Sequence, residues 1–424
     1  MAESKDNITH KTFEFKIRPN ANFIEACERE LEHSRQIYNA ALQERIECYR
    51  MTSHTINYVE QSRHLTDARS LPDVKAHLRT IQSDALERVD EAFKAFFKRC
   101  AKGSGKAGFP RFKGRDRYHT FSQKYEPQRP CPLKGDKLTV PGVGTCRVRL
   151  SRPIEGRCVQ LRITRRADGW FALLVCEIAK PEPLPKTGKS IGVDVGVKSF
   201  ATLSNGETIE NPRHLNNASE NLTKLQRRLS RKKRGSKNRA KARKKVALAH
   251  LKVSRCRKDF HHKTAKNLVD RFDHIAVEDL NVKGLVKNHH LAKAISDVAW
   301  SAFFLILANK AANAGRQFEK VNPRYTSMTC SHCGQVQKMP LAVRVFTCQA
   351  CEFVLNRDHN AAINILVRAS SPDVKPVECD GARRNRNACS SGRNERVPEG
   401  QSESPLLARE ANKGVCYELR TGRI

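Results

Sequence analysis

Apolar and polar residues alternate from Lys11 to Ile17, placing Phe13, Phe15 and Ile17 on one face, which predicts a β-strand. After Asn22 the period lengthens. Ile24, Cys27, Leu31, Tyr38, Ala41, Leu42 and Ile46 recur at helical spacing and predict one long helix. A second helical run follows Ser70, with Val74, Leu78, Ile81, Val89, Phe93 and Phe96 on its buried side. Both stripes read as the core of a helical bundle without chemistry of their own. A Gly- and Lys-rich loop, KGSGKAGFPRFKGRDR (102–117), closes this part, and alternating segments then run to about residue 180. The clearest of them, LRITRRADGWFALLVCEI, carries Asp168-Gly169 as a hairpin turn. These segments predict a small β-barrel that the strand at 11–17 joins, with the helices as an insertion.

Past the linker KPEPLPKTGK (180–189), SIGVDVGVKSFATLSNGE reads as a strand, a turn and a second strand. Residues 224–258 are then crowded with Lys and Arg and contain no acid. Sparse Leu and Val residues within that block favour a helical hairpin lying against phosphates over a merely solvated face. HIAVEDL (274–280) is a short apolar strand ending in acids, and 294–313 is a helix with Ile295, Val298, Phe303 and Ile306 inward. A last helix runs from Asp358 to Arg368. Beyond Ser370, Ser, Pro, Arg, Asn, Glu and Gly dominate without apolar periodicity, which predicts a disordered tail.

Composition narrows the partners. A chain of 424 residues suffices for two or three domains, and its formal charge of +35 calls for a polyanion. A membrane is not expected, because the longest apolar run, Ala299 to Ala308, is broken by Ser301 and too short to span a bilayer. The first 25 residues hold no apolar core of the secretory kind, so a cytoplasmic protein is expected. Most of the 15 cysteines are scattered singly, as reduced thiols would be.

Four cysteines are paired. Cys330-Ser-His-Cys333 and Cys348-Gln-Ala-Cys351 form two CxxC knuckles separated by residues 334–347. Four thiolates suit a closed tetrahedral Zn²⁺ site, structural because no position is left open. Gly334 follows the first knuckle, whereas Glu352 occupies the equivalent place at the second, where a positive φ would be uncomfortable.

Cleavage chemistry, if present, must come from acids. Asp194 interrupts an apolar strand, Glu278 ends another, and Asp358 opens the helix DHNAAINILVR. Singly these could pin a turn, form a core salt bridge or cap a helix. Together they suit two Mg²⁺ ions, hard cations that prefer carboxylate oxygen and can activate water against a phosphodiester. No Ser, Tyr or His stands in a setting that argues for a covalent intermediate.

The segments IGVDVGVKSFATLSNG, IAVEDLNVKGL, TSMTCSHCGQ, FTCQACEFVLNRDHNAAINI and VKPVE resemble, in order over roughly 190–378, the hallmarks of the TnpB proteins of bacterial and archaeal insertion sequences. The resemblance implies a multidomain α+β fold containing an RNase H-like (RuvC) nuclease with an inserted zinc ribbon. It also implies an RNA-guided, Mg²⁺-dependent DNA endonuclease, similar to compact type V CRISPR nucleases. Its partners would be a guide RNA and double-stranded target DNA carrying a short adjacent motif, with action at the nucleoid. Asp194, Glu278 and Asp358 take the catalytic places, while Cys330, Cys333, Cys348 and Cys351 take the zinc places.

On that pattern, residues 1–20 begin a β-barrel wedge domain that 117–185 completes, and 21–116 form a helical recognition domain. Residues 186–326 form the RuvC-like domain, with a basic arm at 212–262. Residues 327–354 form the ribbon, 355–369 the last RuvC-like helix and 370–424 the tail. Two departures stand out: Glu352 replaces a usual Gly, and Asn356 a usual Asp. A strand-joining transposase and a cleavage-inactive nucleic-acid-binding regulator are the competing readings. Strand-transfer products would favour the former, and protection of uncut target the latter.

Overall fold

In the strand β1 (Ile8–Arg18), Phe13, Phe15 and Ile17 are all buried, as the alternation requires. The computed structural model describes residues 7–103, 107–126, 129–340 and 343–370. It divides into two units, Met1–Val377 and Glu378–Ile424, and the second lies outside the described residues, as does the expected tail beyond Ser370.

Four helices follow β1: α1 (Ala21–Thr52), α2 (Tyr58–Ala68), α3 (Pro72–Lys75) and α4 (Arg79–Ala101). Asn20 caps α1 through a bond from Phe23 N–H, and a reciprocal Asn57–Glu60 capping box starts α2. The buried stripe of α1 uses Phe23 and leaves Ile24 37% exposed, one position off the periodicity reading. The run after Ser70 is split into α3 and α4.

Six strands come next: β2 (Thr120–Lys124), β3 (Leu133–Lys134), β4 (Lys137–Val140), β5 (Gly144–Arg149), β6 (Arg157–Arg166) and β7 (Gly169–Ala179). With β1 they make a curled seven-stranded sheet ordered β2-β6-β7-β1-β5-β4-β3. The first strand therefore does cross the helical segment to pair with β7 and β5. The β6–β7 turn is Ala167-Asp168, one residue earlier than expected, because Arg166 pairs with Gly169. Among the described residues the edge strands β2 and β3 do not pair with each other, so the sheet is curled without closing by backbone bonds. One apolar core joins this sheet to α1 and α4.

The second sheet is built from β8 (Ser190–Val195), β9 (Ser199–Leu203) and β10 (Thr208–Glu210), then β11 (His274–Glu278) and β12 (Gln317–Val321) after a helical hairpin. That hairpin is α5 (His214–Ser230) and α6 (Lys237–Arg271), which places the expected basic arm as two packed helices. Strand order is β10-β9-β8-β11-β12, with β8, β11 and β12 parallel and β9 and β10 antiparallel. Between β11 and β12 lie α7 (Val282–Leu285), α8 (His289–Val298) and α9 (Trp300–Asn313).

The span His289–Asn313 is long and apolar enough to cross a membrane by composition alone. In the fold it is two helices, not the single 294–313 helix expected, because Ala299 adopts a left-handed conformation (φ 53°, ψ 50°). Trp300, Phe303, Phe304 and Leu307 of α9 pack into the second core. A two-stranded hairpin, β13 (Val345–Thr347) and β14 (Val354–Asn356), leads into α10 (Arg357–Ser370).

Candidate functional site

Three small residues set the geometry of the acids. A Cβ on Gly192 would lie 2.1 Å from the Ala362 carbonyl oxygen, so α10 rests directly on the backbone of β8. Ala276, the partner of Gly192 on β11, packs beneath the same helix with Val321, Ile365 and Ala369. Two residues up β8 from Gly192, about 6.6 Å along the strand, stands Asp194 on the same face. One turn back along α10 from Ala362, about 6 Å along its axis, stands Asp358. The parallel register pairs Val193 with Val277, so Glu278 follows on β11 at the level of Asp194. A close helix–strand contact thus gathers acids from three distant segments at one end of the sheet.

Their electrostatics agree. The Asp194 carboxyl is pushed well above the usual range, first by burial and then by the charges of Glu278 and Asp358. Glu278 is 8% exposed, and burial raises its pKa while a hydrogen bond from the Thr326 hydroxyl opposes that shift. Asp358 lies 3.7 Å from Arg344 and is half-buried. It is not the helix cap. Asn356 holds that role, its Oδ1 accepting from the Asp358 and His359 N–H groups at 2.9 and 3.3 Å. Asp358 is thereby left free of the capping duty that was its plainest alternative role.

Of the three acids, Asp358 lines a cleft of ≈ 550 Å³ together with Lys198, Thr202, Asn211, Arg213 and Asn217 among others. Arg344, Arg357 and Arg368 offset part of the repulsion, yet Asp194 stays raised, and repulsion among partly buried carboxylates is the donor chemistry that a hard divalent ion relieves. The carboxylate oxygens are not gathered as tightly as the thiolates. Only the four cysteines, among the described residues, bring ligand atoms all within 4.8 Å of one another.

The thiolates form a compact cluster. Sγ of Cys330 is 3.8 Å from that of Cys351, and Sγ of Cys333 is 3.6 Å from that of Cys348. Tetrahedral Zn–S bonds of about 2.3 Å imply sulfur separations of about 3.8 Å, so the residues fit zinc. The two knuckles repeat one backbone pattern. Gly334 and Glu352 donate to the Cys330 and Cys348 carbonyls at 3.0 and 3.1 Å, while those cysteines' N–H groups bond the Gln335 and Phe353 carbonyls. Both turn residues have positive φ, 77° at Gly334 and 56° at Glu352, so the side chain at 352 is carried in the left-handed region.

Sequence reading missed what ties the two sites together. Arg357, Asn360 and Asn364 form a buried polar stripe on α10. Asn360 bonds the Thr329 carbonyl and the Ser331 N–H, and Asn364 bonds the Thr326 and Thr329 carbonyls. Arg357 donates to the Pro340 carbonyl and to Ser327. Thr326, held by this stripe, is the residue that bonds Glu278. The signal was available as polar residues at i, i+3 and i+7 on the side of α10 that should be apolar.

Known proteins are similar to this chain along much of its length. A family model described as "Probable transposase" matches residues 173–289, and one described as a Cas12f1-like TNB domain matches 300–365. A third, described as a helix-turn-helix domain, matches 8–53, which folds here as β1 and α1. A Streptomyces pristinaespiralis protein named "Putative RNA-guided DNA endonuclease" is 34% identical over 94% of this chain and 98% of its own. An Escherichia coli K12 relative bearing the same name, with the suffix InsQ, is 28% identical over 84% of this chain and 91% of its own. A chain of the solved "Cas12f1-sgRNA-target DNA complex" shares the fold, with a TM-score of 0.50 at 17% identity, covering 81% of this chain and 82% of that one. With full-length similarity at 34% identity, and with the cysteine knuckles and interrupted apolar strands in their expected order, the chain belongs to the TnpB family of insertion-sequence proteins.

Proposed function

We propose that this protein is an RNA-guided DNA endonuclease of a transposable element, cutting phosphodiesters at the Asp194–Glu278–Asp358 cleft with two Mg²⁺ ions. The observation that carries this reading is the convergence of three acids at one end of the second sheet, where the charges of Glu278 and Asp358 bear on Asp194. The sheet order, with β8, β11 and β12 parallel and the acids on its α10 face, supports an RNase H-like (RuvC) nuclease domain. The curled sheet and its helices would serve as wedge and recognition domains for a guide RNA and the motif beside the target.

Asp194, Glu278 and Asp358 would hold the ions, with Thr326 fixing the Glu278 carboxylate through its hydroxyl. Bound Mg²⁺ would supply an activated water and stabilise the departing oxygen. Lys198 and Arg213, at the cleft wall, would hold the scissile strand through its phosphates. The basic hairpin α5–α6 extends that positive surface for RNA or heteroduplex phosphates, while base pairing selects the sequence. Cys330, Cys333, Cys348 and Cys351 would hold one structural Zn²⁺.

The test is to co-express the protein with its native locus, sequence the RNA that co-purifies, and assay target DNA with Mg²⁺. Cleavage is expected from the wild type. Asp194→Ala should lose it by orders of magnitude while keeping the RNA. Cleavage that is indifferent to the RNA, or that survives Asp194→Ala, would refute the proposal. Covalently joined strands in the same assay would indicate a transposase instead.

A further inference from the structure

The segment after α4 exposes aromatic rings that the fold has no need to expose. Phe97, Phe109 and Phe112 are 51%, 47% and 50% exposed. They are firmly held. The Phe109 ring sits edge-on to Phe93 and Phe96 at 5.6 and 5.1 Å, and Phe96 contacts Phe97 at 5.3 Å. The chain around them is clamped to both neighbouring helices. Arg99 of α4 donates to the Gly108 carbonyl at 2.7 Å. Asn39 of α1 bonds the Lys113 backbone in both directions, at 2.8 and 3.0 Å, and Arg35 adds a third bond to the Lys113 carbonyl. Polar anchors on either side of Phe112 fix a loop whose apolar ring points away from the core.

The segment itself is strongly basic, and the acid beside it on α1, Glu32, is paired with Arg35. Lys98, Arg99, Lys102, Arg111, Lys113 and Arg115 accompany the rings in sequence. The one acid between 97 and 117 is Asp116, and it is paired with Arg243 at 2.9 Å. An apolar patch for a second copy of this chain would set these cations against themselves, in a molecule already at +35. Exposed rings interleaved with cations match a different ligand: nucleobases stack on the rings while the phosphates between them meet the lysines and arginines.

We propose that Phe97, Phe109 and Phe112 form a stacking platform for unpaired bases of single-stranded nucleic acid, separate from the cleavage cleft. The platform rests on the reading that the chain binds nucleic acid, and it adds where an unpaired strand is held. It uses faces that the acids do not touch, on α4 and the loop that follows it.

The experiment titrates the full chain, at salt high enough to weaken phosphate contacts, with short fluorescent homopolymers of deoxythymidine or uridine and with an abasic strand of equal length. The base-bearing strands are expected to bind more tightly than the abasic one. Phe112→Ala should weaken them by roughly tenfold and leave the abasic strand unchanged. Phe112→Tyr should restore stacking, whereas Phe112→Leu, apolar but not aromatic, should not. Thermal melting of each variant at the wild-type temperature checks that the half-exposed position leaves the fold intact. Tighter binding of the ribose or the deoxyribose strand identifies whether RNA or DNA is the ligand. Equal affinity for base-bearing and abasic strands, or full retention in Phe112→Ala or Phe112→Leu, overturns the platform and leaves the nuclease reading standing. Failure of the wild type to bind any strand overturns the platform as well, whereas the nuclease reading stands or falls on the cleavage assay.

Discussion

The thiolate cluster and the carboxylate cleft lie on either side of one helix end and are assembled in opposite ways. Four sulfurs come within 4.8 Å of one another from the short segment Cys330–Cys351, by two copies of the same turn. Three carboxylates come from β8, β11 and α10, and depend on a parallel register and a helix laid against Gly192. The first site is local and closed, so its ligands come from its own hairpins alone, with α10 bracing them from outside. The second inherits its geometry from the whole sheet, and like charges push its members apart in the metal-free protein. The difference teaches that the ribbon can fail alone, whereas the acids fail with the packing that gathers them.

Removing zinc tests the local half of this contrast and should give the largest effect. Binding free energies of about 10 kcal/mol or more hold structural zinc sites together, so a strong chelator or Cys348→Ser should unfold the ribbon. Hydrogen exchange is expected to rise across 327–353 while β8 and β11 stay protected. Cleavage should fall as well, because the ribbon's leading segment carries Thr326 and its bond to Glu278. Simultaneous loss of protection in β8 and β11 would break the comparison, since the ribbon would then be part of the sheet's own cooperative unit.

Gly192→Ala tests the global half. The added methyl would meet the Ala362 carbonyl and the Leu366 N–H, both backbone groups that cannot swing aside. Overpacking of this kind costs about 1–3 kcal/mol, read as a lower denaturant midpoint. Displacement of α10 by even about 1 Å shifts Asp358 relative to Asp194, for which a loss of about 100-fold in cleavage is expected. Zinc content, measured by metal analysis, should remain that of the wild type. A variant that cuts normally would show that α10 can slide without disturbing the acids.

How much could be read from the chain follows the same division. CxxC spacing encodes the thiolate cluster directly, and Glu352 in a glycine position already announced a left-handed turn. Asp194 and Glu278 were visible because they interrupt or end an apolar run and Asp358 because it opens a helix, although their meeting was not. That meeting depends on Gly192, Ala276 and Ala362 lying opposite one another, a property of register and not of any one segment. The strand at 11–17 was legible by alternation, and its distant partners followed from the lack of a near one. The break at Ala299 was not legible, since alanine favours helix and only packing of Trp300 and Phe303 into the second core explains the bend. The polar stripe of α10 was legible in principle, as Asn360 and Asn364 on the side of the helix that should be apolar, and both brace the ribbon.

The smallest expected effect isolates the ribbon's one departure from symmetry. Gly334 and Glu352 make the same turn, but only Glu352 carries a Cβ at positive φ, at a cost of about 1–2 kcal/mol relative to the right-handed region. Replacing it with glycine relieves that strain and adds back some chain entropy to the unfolded state, which offsets part of the gain. Glu352→Gly should therefore strengthen the ribbon by about 1 kcal/mol, read as slower zinc loss to a chelator or slower exchange across 345–356. The carboxylate cleft should not respond, because the turn at 352 bears on it only through a ribbon that is already formed. A rise in cleavage rate in Glu352→Gly would mean that ribbon rigidity limits the acids' alignment, and the two sites would then be less separable than their construction suggests.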